Sequence, residues 1–267
     1  MRDRKKREAC IARLRQILPQ ALKFDNPDLS DTISYAKDPG TKAYSEKVAD
    51  LKNYPHLFVL CCMMDTGMNS DKAWIIPYKL SQELLNGELT FSAFASLGEE
   101  AIVQAFENGK FHRYKTVKGK DFYSAIQKIA NEYEGDASAI WRDNPDSSLI
   151  ISRFLEFDGC GIKIASMAIN LLYRNYKVPM SNLSSIEVSP DVHVRRIFYR
   201  TGLVNNSVVS DPQIIYAARF LNPDYPGIID RLSWMLGKTK ICTDQAPQCE
   251  NCPLQTACYY ANYERNL

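Results

Sequence analysis

The sequence predicts an all-α protein. Apolar residues recur at helical spacing along most of the chain, and no run of alternating residues with hairpin turns marks a sheet. The densest apolar run, Leu57 to Met64, has no alternating neighbours to pair with as a strand, so it reads as a buried helix. A length of 267 residues suits one large domain or two small ones, and a hydrophobic share of 45% is ample for a core. No stretch approaches the length of a membrane span, and the basic start Met1–Glu8 has no apolar segment after it, unlike a secretory signal. A monomer with no membrane partner is expected, cytoplasmic and nucleoid-associated if the source is prokaryotic. A formal net charge of +2 permits nucleic acid binding without demanding it.

Residues 7–18 read as a helix with Ile11, Leu14 and Leu18 on one side. The next stretch, with Asn26-Pro27 and Asp38-Pro39-Gly40, has little periodicity and reads as a loop or insertion; a helix over 43–51 follows and stops before Pro55. After the apolar run, Asp65-Thr66-Gly67 breaks the chain, Asn69 or Ser70 caps a helix through Trp74, and Pro77 interrupts or bends it. Helices are expected over 91–108, with a turn at 96–98, and over 121–133. Lys115, Lys118 and Lys120 fall in the loop before the second of these, where they offer a phosphate contact or are simply solvated. Asn144-Pro145-Asp146 leads into another helix. A serine-rich loop covers about 177–190, and helices resume at 192–199, 214–221 and 228–236.

Three motifs carry chemistry. The first is Phe157-Asp158-Gly159-Cys160-Gly161-Ile162-Lys163-Ile164-Ala165, which reads as helix, glycine turn, helix. Such a turn presents free backbone N–H groups at a helix start, an arrangement that suits phosphate. The second is Asp191-Val192-His193-Val194-Arg195-Arg196. Asp191 there is at least a helix cap, worth about 0.5–2 kcal/mol. The third is Cys242, Cys249, Cys252 and Cys258, spaced C-x6-C-x2-C-x5-C. Four thiolates in a short loop suit a soft metal centre, zinc or [4Fe-4S]; the single C-x2-C and Pro253 favour the cluster. Cys10, Cys61, Cys62 and Cys160 lie among apolar residues and read as core fillers.

Taken together and in this order, the motifs resemble the endonuclease III-like DNA glycosylase/AP lyases of the helix-hairpin-helix base-excision superfamily. Gly159, Gly161, Lys163 and Ala165 match that family's hairpin, with Asp158 where the family has Pro. Asp191, His193 and Arg196 match its aspartate motif, and the cysteines match its iron–sulfur loop, 242–258. The resemblance implies a central domain over 55–176 and a discontinuous domain from 1–54 plus 177–267 that carries a [4Fe-4S] cluster, with the active cleft between the two. It implies double-stranded DNA with a damaged or abasic nucleotide as partner. Lys163 is then the nucleophile that forms a Schiff base, and Asp191 the carboxylate that stabilises charge on the sugar. Gly159 and Gly161 would supply amides to phosphate, and Arg195 a second contact. His193 would bond backbone or lie near the DNA strand.

Two departures matter. Met64 stands where the family has the glutamine that fills the gap left by the target base, so it is either an apolar wedge or a core residue. The separation of Lys163 from Asp191, twenty-eight residues, is longer than usual. Alternatives are a monofunctional glycosylase in which Lys163 is not the nucleophile, a DNA-binding protein that no longer cuts, and a zinc-stabilised helical module.

Overall fold

The structure is a computed structural model that describes residues 2–24 and 39–265. Among these the chain is all-α, with no strand. The stretch 25–38, read above as a loop or insertion, lies outside the described residues. No helix among them is long and apolar enough to cross a membrane. By internal contacts the chain divides into residues 30–181 and a discontinuous unit of 1–29 with 182–267.

The first unit is built around α3 (Pro55–Met64), whose residues are all buried. A helix apolar on every side can exist only inside a protein. Packed on it are α2 (Pro39–Ala49), α5 (Ile76–Leu84), α8 (Lys115–Glu132) and α10 (Ile162–Arg174). From α2, the Tyr44 hydroxyl donates to the Trp74 carbonyl at 2.8 Å. Asn69 caps α4 (Ser70–Ala73) through the amide of Asp71. Pro77 does not bend a helix; it stands in the first turn of α5, where its missing N–H has no consequence. α6 (Phe91–Ala95) and α7 (Glu99–Asn108) are separated at the expected turn, with Thr90 capping α6. α9 (Ser147–Leu155) is capped by Asp146 and leads into the glycine turn before α10.

α8 begins at Lys115, so Lys115, Lys118 and Lys120 are helical and not in a loop. Lys118 is also not a phosphate contact. It is buried, ion-paired with Asp121 at 2.9 Å, and donates to the Met63 carbonyl at 3.1 Å. A buried ammonium needs such partners.

The second unit joins α1 (Arg4–Ala21) to α11 (Val192–Thr201), α12 (Asp211–Leu221), α13 (Asp230–Lys238) and α14 (Tyr259–Tyr263). Its core is Ile11, Leu14 and Leu18 against Val194, Ile197, Phe198, Ile214, Leu232 and Leu236. The chain start is tied to its end: the Arg2 guanidinium bonds the Glu264 carboxylate and lies over the Tyr199 ring, 3.6 Å from its centroid. Cys10, Cys61, Cys62 and Cys160 are buried, as core fillers should be.

Candidate active site and nucleic-acid interface

In the first unit the candidate site is the turn between α9 and α10. Gly159 has φ +71°, and a Cβ there would collide with the Asp121 carboxylate of the Lys118 pair. Only glycine satisfies both demands. Gly161 is different. Its backbone is extended (φ −95°, ψ 178°), it caps α10, and nothing lies within 4 Å of where a Cβ would stand. Asp158, in place of the family's proline, accepts from the Ser124 hydroxyl at 2.5 Å and so ties the turn to α8. Lys163, in the first turn of α10, has a side chain 35% exposed. Its Nζ donates to the Asp65 carbonyl oxygen at 3.0 Å and lies 3.6 Å from Asp65 Oδ1.

Asp65 follows Met64 at the C-terminal end of α3. Its side chain is 9% exposed, and Oδ2 accepts from the Trp74 indole Nε1 at 2.7 Å. Met64 has no exposed surface. A wedge must reach a base step to open it, so burial favours the core role of the two considered. Beside this corner are side chains that the sequence did not single out. Tyr114, 47% exposed, stands against Gly67, and Arg113 donates to the Gly67 carbonyl at 3.5 Å. No pattern in the sequence pointed to them.

In the second unit, Asp191 caps α11. Its Oδ1 accepts from the amides of His193 and Val194, both at 2.8 Å. Oδ2 has no hydrogen-bond partner among the described residues. His193 lies against Gly237, so closely that a Cβ on Gly237 would overlap the ring. Arg196 Nη1 sits 3.3 Å from His193 Nδ1. The guanidinium can only donate, so Nδ1 is the acceptor and the ring is neutral. Burial, with Arg196 adding to it, pushes the His193 pKa down despite the nearby Asp191. Arg195 is spent within the unit: it donates to the Val209 carbonyl at 2.6 Å and pairs with Asp211. Arg196 grips both oxygens of Asp244, at 2.6 and 3.0 Å, and holds that carboxyl below its usual range.

The cofactor expectation is overturned. Cys242, Cys249, Cys252 and Cys258 line one recess with Arg200 and Ile241. Among the described residues, however, no three Cys, His, Asp or Glu groups converge as the ligands of a metal would. Two of the sulfurs are engaged otherwise. Cys242 Sγ accepts from Arg200 Nη1 at 3.0 Å, and the Cys258 thiol donates to the Arg200 carbonyl at 3.2 Å. Burial pushes Cys252 up to about 11 and Cys258 up to about 12. The loop is held instead by hydrogen bonds and by Leu254 and Ala257 in the core. These residues do not fit a [4Fe-4S] cluster, or the zinc alternative.

No family model matches the chain, and no curated protein matches it in sequence. Its fold is similar to those of solved structures, among them two of endonuclease III with DNA. One is a trapped covalent endonuclease III–DNA intermediate with an estranged adenine (TM-score 0.58, 15% identity, 100% of each chain covered). The other is a non-covalent endonuclease III–DNA complex (TM-score 0.57, 15% identity, 100% of each chain covered).

Proposed function

We propose that this chain is a DNA base-excision enzyme that cleaves the N-glycosidic bond of a damaged or modified base and opens the strand through a lysine Schiff base. The observation that carries the reading is Lys163, its side chain about one-third exposed in the first turn of α10, directly after the glycine turn. The likeness of the fold to endonuclease III structures with DNA, along the whole chain, supports it.

The chemistry follows from the side chains. Loss of the base builds positive charge at C1′ of the deoxyribose. A carboxylate stabilises that charge, and Asp191 Oδ2 is the oxygen left for the task. The Lys163 amine, once it has shed a proton, bonds to C1′ as the bond to the base breaks. Opening of the sugar ring gives an imine. The imine makes the C2′ proton acidic, and its loss expels the 3′ phosphate. In this reading the amides around Gly161 meet the strand's phosphate, and Tyr114 offers a face on which a base can stack. Met64 stays in the core.

Borohydride trapping on duplexes with thymine glycol, uracil, alkylated bases, 8-oxoguanine or an abasic site tests the proposal. Native protein is expected to form a covalent adduct, Lys163→Ala none, and Asp191→Asn adduct with the abasic duplex but base release at least about 100-fold slower. No base release and no adduct on any duplex would overturn the reading. One observation favours a monofunctional glycosylase as the second reading: the Lys163 amine is already bonded to Asp65. Base release without adduct would establish that version.

A further inference from the structure

We propose that Asp65 is the positioning residue of Lys163. The inference rests on the lyase reading above and names the group on which its nucleophile depends. Two acceptors of one residue face the same amine: the backbone carbonyl at 3.0 Å and Oδ1 at 3.6 Å. The carboxylate is itself immobilised, because Oδ2 takes the indole proton of Trp74 at 2.7 Å, and Trp74 is 2% exposed. The carbonyl belongs to the residue that ends α3, the most buried helix of its unit. A lysine has four rotatable side-chain bonds, and an amine free to wander is poorly placed to attack one carbon. Here the chain of support runs from the buried indole to the carboxylate to the amine.

The companion lysine shows that the arrangement is specific. Lys118 also reaches the end of α3, at the Met63 carbonyl, but it is buried and closed by Asp121. Lys163 has the same kind of anchor and keeps a third of its side chain exposed. One ammonium is locked into the structure; the other is held at its edge, where a sugar can approach. Asp65 does not touch the substrate in this scheme and acts through Lys163.

The test uses the full chain and a duplex with a preformed abasic site, which removes base recognition from the measurement. Single-turnover trapping is compared with equilibrium binding to a tetrahydrofuran abasic analogue that cannot react. Asp65→Ala is expected to slow trapping about 10- to 100-fold while binding stays within about twofold. Asp65→Asn, which keeps an oxygen for Trp74, is expected to fall between it and the native protein. Trp74→Phe should slow trapping in the same direction and covers the case in which Asp65→Ala does not fold. A purely structural role would lower binding and trapping together, and that result, or native trapping rates in all three variants, would overturn the proposal.

Failure of the lyase reading is separable. If native protein forms no adduct, that reading falls, and the contact is judged from carbon-13-labelled lysine. The Lys163 ε-signal, assigned by its loss in Lys163→Arg, should lie apart from the solvent-exposed lysines and move toward them in Asp65→Asn. A signal that does not move would overturn the role of Asp65.

Discussion

His56 shows what a single buried side chain does to the molecule without belonging to any site. It is 2% exposed at the start of α3, and Nε2 bonds the Leu89 carbonyl at 2.9 Å. That bond makes Nε2–H the donor and leaves Nδ1 bare, so the ring is neutral. Burial pushes its pKa from 6.5 down to about 4. Between these values the unfolded chain binds a proton that the folded chain refuses. Stability from this residue is therefore complete above about pH 6.5 and is lost as pH falls toward 4. Native protein is expected to lose roughly 2.5 kcal/mol more than His56→Gln between pH 7.5 and 4.5, with the carboxylates common to both cancelling. Urea unfolding at the two pH values measures it, and parallel losses would refute it. Nothing in the sequence marked His56, because its environment comes from Leu89, Phe91 and Phe94, more than thirty positions away. Lys163 and Asp191 were legible because each sits in a local pattern; Asp65 was not, since its partners Trp74 and Lys163 meet only in the fold.

At the scale of elements, local pattern succeeded where burial is complete and failed where a close approach decides. α3 could be read from eight apolar residues in a row. The first turns of α8 were misread as loop. Gly119 is there because a Cβ would lie 3.0 Å from the Val103 backbone, so the glycine lets α7 and α8 pack tightly. The hairpin repeats the lesson. Its two glycines look alike in sequence, yet only Gly159 has a positive φ and a crowded Cβ position. Gly159→Ala is expected to destabilise by about 2 kcal/mol or more, since the side chain is both strained and driven into Asp121. Gly161→Ala should cost less than about 1 kcal/mol. If the turn binds phosphate, Gly161→Ala should nonetheless weaken duplex binding, because its methyl group would stand where the phosphate approaches. Thermal unfolding and filter binding of both variants separate the roles. Equal destabilisation would show that the turn needs both glycines for folding.

For the whole molecule, the sequence order hides which parts share a core. The first helix and the last belong to one unit although the other unit is inserted between them. The cysteine loop illustrates the opposite error. A spacing read along one dimension suggested converging ligands, and in three dimensions two of the sulfurs bond Arg200 and, among the described residues, no three groups converge as metal ligands would. What joins the two ends is Arg2. Its side chain is 5% exposed, its guanidinium bonds both oxygens of Glu264, and it stacks on Tyr199 and Tyr259. Arg7 adds a bond to the Gly202 carbonyl at 3.0 Å. Arg2→Ala should therefore cost about 2 kcal/mol, from lost charged hydrogen bonds and cation–π contacts. The loss should be confined, because Ile11, Leu14 and Leu18 pack with Val194, Ile197 and Phe198, whereas α3 has its own core with α8 and α10. Hydrogen exchange by mass spectrometry is the measurement. Faster exchange is expected in α1, α11 and α14, with α3, α8 and α10 unchanged. Acceleration spread evenly over both groups of helices would mean that the two cores unfold as one.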